Sequence, residues 1–353
     1  ALLADAASLQ LLQLTASGSE PYAAAPKRIQ IACAAGAYGE LVSEYLLAAL
    51  LAFYHNLHLH RNHQLQHVWA SPQPVSTLRG KTILILGGGD IGCCFARRIR
   101  SQNARAIGVI RSRCICAHAF DRLCTLDELD ELLPQADAVA LCIPGTPENH
   151  HLFDLGRLRT MKPGSVLLNA GRGNLVDTEA LCTVLREGQL GGAILDVVEP
   201  EPLPQEHPLW DFENVILTPH DAGNFRAMPE ALSDAIAEIA YQNFIRFLHA
   251  QPLINAMVSS DSIGYAQADP SVLRGYSSSH HRQERTDIFC ALLSSYAPVV
   301  STNSTRIPAP ALGRRKLTRI GPAPLTAAGS SMFRPRASNS ALAFSTSSTQ
   351  NAM

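Results

Sequence analysis

"GKTILILGGGDIG", residues 80–92, decides the fold of this chain. The run 82–87 is apolar after its first residue, which is typical of a strand buried on both faces of a parallel sheet. Gly87, Gly89 and Gly92 then satisfy the pattern G-x-G-x-x-G between this strand and a predicted helix. The first glycine permits a tight turn, the second lets phosphates approach the backbone, and the third lets helix and strand pack closely. A plain structural turn is the alternative, but this context favours a dinucleotide site.

The cofactor-binding set predicted at this loop is Gly87, Gly89, Asp90, Ile91 and Gly92. The last three begin the predicted helix, whose N-terminal N–H groups and dipole attract phosphates. We therefore expect the pyrophosphate of a dinucleotide to lie there.

Short apolar runs alternate with helical segments on both sides of this loop, between residues 74 and 220. Such alternation predicts an α/β fold with a doubly wound parallel sheet, that is, a Rossmann fold. The predicted strands, all expected to be fully buried, are 82–87, 106–110, 138–143, 165–169, 193–196 and 215–218. The predicted helices between them are 90–101, one that a capping box at Thr125 and Glu128 opens and that ends at Leu133, 154–160 and 178–187.

Two long helices, about 40–67 and about 228–249, flank this block. The stretch "LQLLQLTASGSE", residues 9–20, predicts part of another small α/β unit. We therefore expect a dinucleotide-binding domain over 39–223 that opens with an interdomain helix, and a second, smaller α/β domain built from 1–38 and completed by 224–265. Residues 266–353 are Ser-, Pro-, Ala- and Gly-rich, and we expect a disordered extension because such a segment buries little apolar surface.

Composition narrows the class of protein further. Residues 266–353 hold ten Lys and Arg against three Asp and Glu, a net charge of +7, which leaves the preceding residues at −8. An acidic body disfavours nucleic acid as a partner. The most apolar stretch, 41–54, is shorter than a membrane span and includes Glu44, and no signal sequence opens the chain. Nine cysteines without regular spacing indicate a reduced, cytoplasmic setting rather than a disulfide framework.

The second predicted strand indicates which dinucleotide is bound. An NAD site usually places Asp or Glu at its end, to bind the ribose hydroxyls. This chain has "VIRSR" there, so that Arg111, Ser112 and Arg113 occupy the position. Two guanidinium groups and a hydroxyl suit a 2′-phosphate, and we expect NADP, with NAD possible and a solvated basic turn as the alternative.

Three polar residues follow predicted strands at the carboxyl edge of the sheet, where ligands of open α/β sheets bind. Arg172 follows "LLNAG", Glu201 follows "ILDVVEP", and His220 follows "VILTP". A histidine can donate a proton, a carboxylate can keep that histidine protonated, and a guanidinium can bind a substrate carboxylate. These three residues are the candidate catalytic set.

Residues 8–265 resemble the D-isomer-specific 2-hydroxyacid dehydrogenases, and most of all their glyoxylate/hydroxypyruvate reductase-like branch. The motifs that carry the resemblance are "GKTILILGGGDIG", "MKPGSVLLNAGRGNLVDTEAL", "DVVEPEPLPQEHPLW" and "NVILTPH". The resemblance implies that Arg172, Glu201 and His220 are catalytic and that Asp196 contacts the nicotinamide carboxamide. It also places Ser17 and Gly18 in the loop that binds the substrate carboxylate. Pro144 and Ala170, each just after a predicted strand, complete the predicted cofactor-binding set.

The activity that this resemblance implies is reduction of a small 2-oxoacid, such as glyoxylate or hydroxypyruvate, to the D-2-hydroxyacid. NADPH would give hydride to the carbonyl carbon while His220 protonates the oxygen and Arg172 binds the carboxylate. The resemblance also implies a homodimer formed through the first long helix, and more substrate-domain residues before "LQLLQL" than this chain has. A dinucleotide-sensing binding protein or scaffold of the same fold is the alternative from another functional class.

Two further clusters are interpreted as structural. His55, His58, His60, His63 and His67 crowd one helix, and we predict a solvated helix face there and no metal, because a metal site needs firmer spacing. Cys93 and Cys94 stand at a helix N-terminus, where a thiol can become redox-sensitive, but packing against the sheet is the favoured interpretation.

Overall fold

A computed structural model describes the parts of the chain that follow. They are residues 3, 8–18, 22, 24–71, 74–111, 114, 116–223, 230–257 and 341–345, with backbone only at 230, 231 and 341–345. All of them belong to one of the two compact units of the chain, and the other unit, 279–340, lies outside the described residues. None of the described helices combines the length and the apolar character needed to cross a membrane.

A parallel sheet of seven strands forms the centre of this unit, in the order β5-β4-β3-β6-β7-β8-β9. Its strands are β3 Thr82–Leu86, β4 Arg105–Ile110, β5 Arg122–Thr125, β6 Ala138–Leu141, β7 Val166–Asn169, β8 Gly192–Leu195 and β9 Val215–Leu217. Strands β4 and β5 follow on one side of β3, and the chain then continues with β6 on the other side of β3. The strand order therefore reverses between β3 and β6. Ligands of such sheets bind at the carboxyl end of this switch point. The predicted α/β, doubly wound fold is therefore confirmed.

Helices cover both faces of this sheet because its central strands β3, β6, β7 and β8 are apolar on both sides. They are α1 Gly39–Tyr54, α2 Leu57–Leu65, α3 Asp90–Ser101, α4 Leu129–Leu132, α5 Leu155–Thr160, α6 Thr178–Arg186 and α7 Glu230–Leu248. Successive residues of β3 illustrate the two layers: Ile83 and Ile85 lie in the core beneath α1 and α3, whereas Leu84 and Leu86 lie in the core beneath α4, α5 and α6. The predicted capping box at Thr125 and Glu128 is present.

Two local predictions were wrong. The first long helix is not continuous over 40–67, because Asn56 adopts a left-handed backbone with φ of 56° between α1 and α2. Asparagine tolerates that conformation better than most residues. The spacing of apolar residues continues past this position, so the sequence pattern does not reveal the break. Strand β9 is only partly buried, since it lies at the edge of the sheet.

A second, smaller sheet has the order β10-β1-β2, where β1 is Leu9–Leu14, β2 is Gln30–Ala32 and β10 is Ala341–Ser345. Strands β1 and β2 are parallel, and β10 pairs antiparallel with β1. Strand β10 falls within 266–353, the range for which the sequence predicts a disordered extension. Without β10, the edge of β1 would leave N–H and C=O groups unpaired. A short segment with Leu and Phe can pair with such an edge.

A buried side-chain amide, that of Asn243, links helix α7 to this smaller sheet. The Asn243 side chain donates to the Oε1 atom of Gln13 on β1 at 2.7 Å and to the carbonyl of Ile254 at 3.0 Å. Residues from before and after the seven-stranded sheet thus pack together.

Candidate active site

The glycine-rich loop leaves β3 at the switch point and enters α3. Gly87 has φ of +118°, and a Cβ atom there would lie 2.6 Å from the carbonyl oxygen of Cys142. A Cβ atom on Gly92 would overlap the carbonyl oxygen of Gly87. Both positions therefore require glycine, and the N–H groups in the first turn of α3 have no acceptor within the helix. This bare, donor-rich turn fits the pyrophosphate of a dinucleotide.

Asp90, the first residue of α3, directs its carboxylate to the start of α1. The backbone N–H of Gly39 donates to Asp90 Oδ2 at 2.5 Å, and the Cys94 thiol donates to Oδ1 at 3.8 Å. Burial is the main reason that the pKa of Asp90 rises to about 6. Asp90 and Ile91 keep their predicted place at the helix N-terminus, but the Asp90 side chain joins two helices.

Arg111 follows β4 immediately and is exposed. Its charge contributes, after the hydrogen bond from Thr146, to the lowered pKa of Glu148. The other two members of the predicted 2′-phosphate group, Ser112 and Arg113, lie outside the described residues. Arg111 remains the predicted contact of the adenosine 2′-phosphate.

Pro144 and Ala170 both lie at the carboxyl edge of the sheet, just beyond β6 and β7. Pro144 is exposed, and its carbonyl accepts a hydrogen bond from the Asn149 side chain at 2.8 Å. Ala170 is half-buried, and its N–H donates to the carbonyl of Leu141 at 3.2 Å. Both therefore border the cleft in which a dinucleotide would lie.

His220 and Glu201 form the pair that the sequence predicts. His220 Nδ1 lies 2.9 Å from Glu201 Oε1, and both side chains are about half exposed. The hydrogen bond to Glu201 is the largest influence and raises the pKa of His220 above its ordinary value, whereas burial and the charge of Arg172 act in the opposite direction. Arg172 follows β7, two strands away from β9, at the same edge of the sheet. The structure thus joins His220 to Glu201 directly and places Arg172 at the same edge.

Asp196 holds the loop that presents His220. Its Oδ1 atom accepts hydrogen bonds from the Thr218 hydroxyl at 2.5 Å and from the backbone N–H groups of Asp221 at 2.8 Å and Ala222 at 3.1 Å. The Tyr45 hydroxyl on α1 lies 2.7 Å from the Thr218 hydroxyl. The sequence pattern does not reveal Thr218 and Tyr45 as site residues, because their contact joins residues far apart along the chain. Asp196 remains the predicted contact of the nicotinamide carboxamide.

His220 itself has a left-handed backbone, with φ of 55°. Its N–H donates to the carbonyls of Asp196 at 2.7 Å and of Thr218 at 3.0 Å. Such a backbone is uncommon for a non-glycine residue and persists where the surroundings impose it. These hydrogen bonds and those of the Asp196 carboxylate impose it here.

Arg172 is positioned by a turn that a single side chain orders. Asn169, the last residue of β7, accepts a hydrogen bond from the Gly171 N–H at 3.1 Å and donates one to the Arg172 carbonyl at 2.8 Å. A Cβ atom on Gly173 would overlap the carbonyl oxygen of Val198 in the loop that leads to Glu201. The motif "GRG" thus lets the arginine turn pack directly against the glutamate loop.

Ser17 and Gly18 are partly buried and follow β1 in the smaller sheet. Tyr38 connects their loop to the catalytic loop. Its hydroxyl donates to the Thr15 carbonyl at 2.7 Å, and a Cβ atom on Gly223 would lie 3.1 Å from the Tyr38 ring. The predicted substrate loop and the His220 loop therefore share one tyrosine as a neighbour.

Among the described residues, one group could hold a metal ion: His150, His151 and Glu199, whose ligand atoms lie within 4.8 Å of one another. The two imidazole rings stack with centroids 3.9 Å apart and planes at 26°. Nearly parallel rings direct their lone pairs side by side, whereas a metal needs them to converge. The contact of His151 Nε2 with Glu199 Oε2 at 3.1 Å instead joins the loop after β6 to the loop that leads to Glu201.

Sequence comparison identifies relatives for the part of the chain that carries this site. Residues 47–222 match the profile described as D-isomer specific 2-hydroxyacid dehydrogenase, NAD binding domain. A glyoxylate reductase of Thermofilum pendens is 41% identical over 174 residues, which are 49% of this chain and 50% of that protein. The chain spans about half the length of the glyoxylate reductases that it matches, among them that of Pyrococcus furiosus, at 40% identity over 172 residues.

Solved structures extend the likeness beyond the residues that match the profile. A D-isomer specific 2-hydroxyacid dehydrogenase family protein from Aeromonas salmonicida is 38% identical, with a TM-score of 0.65 over 73% of this chain and 82% of that one. A probable 2-hydroxyacid dehydrogenase from Rhizobium etli, in complex with NADP, HEPES and L(+)-tartaric acid, is 26% identical, with a TM-score of 0.62 over 73% and 81% of the two chains.

Proposed function

The chain belongs to the D-isomer-specific 2-hydroxyacid dehydrogenase family, and from that premise we propose that it uses NADPH to reduce a small 2-oxoacid of the glyoxylate or hydroxypyruvate type to the D-2-hydroxyacid. One observation carries the proposal. His220 Nδ1 lies 2.9 Å from Glu201 Oε1, on the same sheet edge as Arg172 and the glycine-rich loop.

His220 is the proton donor of this reaction. Its ring remains protonated to higher pH because Glu201 bonds to Nδ1, which leaves Nε2 free to donate to the carbonyl oxygen of the substrate. Transfer of that proton as negative charge develops on the oxygen lowers the barrier. The bound dinucleotide supplies the hydride.

Arg172 binds the substrate carboxylate and polarises the adjacent carbonyl. Backbone N–H groups in the loop of Ser17 and Gly18 bind the other side of that carboxylate, and Asp196 orients the nicotinamide. Ser17 and Gly18 are supported by the resemblance and by their shared neighbour, Tyr38, with the catalytic loop.

The preference for NADPH rests on Arg111, Ser112 and Arg113, which replace the acidic residue of an NAD site. The Rhizobium etli relative, in complex with NADP, supports it. The substrate class is supported by the names of the glyoxylate reductases at about 40% identity.

The test follows the loss of absorbance of NADPH and of NADH with glyoxylate, hydroxypyruvate and pyruvate. We expect turnover of at least one acid and a higher kcat/KM with NADPH than with NADH. Arg111→Ala should reduce that preference roughly tenfold, because one charge-assisted contact is lost. Arg105→Ala, at the other end of β4 and also exposed, is the matched control.

Tight NADPH binding without turnover of any of the three acids would contradict the reductase and favour the dinucleotide-sensing alternative. A preference for NADH would instead contradict only the cofactor assignment.

We also propose that the chain is a cytoplasmic homodimer. Large apolar side chains on and just after α2 are exposed, namely Leu57, Leu65 and, fully, Trp69. Exposed apolar groups of this size favour an interface. Light scattering of the purified chain should give twice the mass of one chain, and Trp69→Glu should lower the measured mass towards that of one chain.

A tagged chain that fractionates outside the cytoplasm would contradict the proposed localisation.

A further inference from the structure

Two cysteine thiols meet beside the glycine-rich loop. Cys93 lies in the first turn of α3 and Cys114 lies four residues beyond the end of β4, and their Sγ atoms are 3.9 Å apart. The Cys93 thiol donates to the carbonyl of Gly88 at 3.4 Å. A Cβ atom on Gly88 would lie 3.0 Å from both Cβ and Sγ of Cys114. Both thiols thus flank the glycine that precedes the phosphate-binding turn.

The two thiols differ in exposure. Cys93 is 1% exposed, whereas Cys114 is partly exposed. A peroxide therefore reaches Cys114 first, and Cys93 is the thiol next to it. Cys116 also lies nearby, but it is buried and accepts a hydrogen bond from the Arg97 guanidinium at 3.6 Å.

We propose that Cys93 and Cys114 form a disulfide under peroxide and that this bond closes the dinucleotide site. The consequence for binding rests on the proposed function. The sulfur of Cys114 attacks hydrogen peroxide, the O–O bond breaks, and Cys114 becomes a sulfenic acid with release of one water. The sulfur of Cys93 then attacks the sulfenic sulfur, and a second water leaves as the S–S bond forms. The two thiols lose two electrons, and the peroxide gains them.

The geometry explains why this bond would affect the cofactor. A disulfide requires sulfurs about 2.05 Å apart, so the two must approach by about 2 Å from their present separation. Helix α3 is packed on the sheet, whereas Cys114 belongs to the segment that follows β4 and Arg111. Because Cys114 already lies against Gly88, this approach must alter its contact with the glycine-rich loop.

The same position predicts protection by the ligand. A dinucleotide on the glycine-rich loop would lie against Gly88 and cover Cys114. Bound NADPH should therefore slow oxidation of Cys114 by covering it. If the disulfide weakens NADPH binding, bound NADPH must equally disfavour the disulfide at equilibrium, because the two effects are linked.

The first experiment maps the disulfide in the full chain. Protein treated with hydrogen peroxide is blocked with an alkylating reagent, digested without reduction and analysed by mass spectrometry. We expect a linked pair of peptides containing Cys93 and Cys114, which is lost on dithiothreitol treatment and formed several-fold more slowly with saturating NADPH. Absence of that pair, or linkage of Cys93 to Cys116 instead, would overturn the proposal.

The second experiment measures NADPH binding by fluorescence before and after peroxide. Oxidation should weaken binding at least tenfold in the unaltered chain and in Cys182→Ala, a control at a buried cysteine on α6. Cys114→Ser and Cys93→Ala should both bind NADPH equally before and after peroxide. A disulfide that forms without any change in binding contradicts the proposed closure. Reduced protein that never binds NADPH contradicts the proposed function instead, while the mapping still decides whether the disulfide forms.

Discussion

The glycine-rich loop and the loops that carry the candidate catalytic residues leave the same edge of one sheet, but they depend on different features of the chain. The glycine-rich loop after β3 offers backbone N–H groups, and its key positions require the absence of a side chain. The loops after β7, β8 and β9 instead offer particular side chains, Arg172, Glu201 and His220. NADPH binding should therefore be sensitive to an added side chain in the glycine-rich loop, and turnover to the loss of a functional group in the other loops.

The largest effect is expected from His220→Ala. Loss of the proton donor should lower kcat by roughly 10²–10⁴-fold, while the Kd for NADPH stays unchanged because the glycine-rich loop is intact. Steady-state kinetics and fluorescence titration measure the two quantities. His118→Ala removes an exposed imidazole elsewhere and should leave both unchanged. A similar kcat in His220→Ala would remove His220 from the mechanism.

The next effect tests the glycine-rich loop. Gly92→Ala places a methyl group against the carbonyl oxygen of Gly87, which must shift the turn and should raise the Kd for NADPH roughly 10–100-fold. Gly156→Ala is a matched change in the first turn of α5, where the new Cβ atom would meet only Asp154 Oδ1, at 3.3 Å. That control should bind NADPH normally. Equal binding by both variants would show that the turn does not require glycine.

A smaller effect, on pH dependence, is expected from Glu201→Gln. The proposed reaction requires protonated His220, whose folded-state pKa lies above the ordinary 6.5 chiefly because of Glu201. Activity is therefore present at low pH and is lost as pH rises through this raised pKa. Glutamine keeps a hydrogen bond without the charge, so kcat/KM should fall at a lower pH, with roughly a tenfold loss at pH 8. Glu206→Gln, exposed in the same segment, should retain the original profile.

The smallest effect concerns a side chain beside the glycine-rich loop. Burial raises the pKa of Asp90 from 3.8 to about 6 in the folded chain, so ionisation is penalised there and stability is lost as pH rises between these values. Asp90→Asn removes this penalty above pH 6. A shift of two units corresponds to about 3 kcal/mol, and water around this partly exposed group should reduce it to roughly 1 kcal/mol. Urea unfolding at pH 4 and pH 7 should show the gain only at pH 7.

The sequence predicted the central sheet well because its strands are continuous apolar runs and its glycine pattern has a mechanical cause. It missed β5, whose residues "RLCT" contain only a short apolar pair, and it missed the break at Asn56, which leaves the helical periodicity undisturbed. The catalytic triad could be proposed because all three members follow predicted strands. The Tyr45–Thr218 contact could not, because nothing in a local pattern links a helix residue to a strand end far along the chain.

The alignment of two neighbouring strands has a consequence for the precision of the chemistry. Leu195 of β8 pairs with Leu217 of β9, and Asp196 and Thr218, the residues that follow them, share a hydrogen bond. The left-handed turn at His220 begins two residues later. The register between β8 and β9 thus fixes the position of the imidazole, and the hydrogen-bonded backbone of the two strands allows only small variation in it. A single-residue deletion within β9 should therefore misplace His220, the proposed proton donor, and lower kcat about as much as its replacement would.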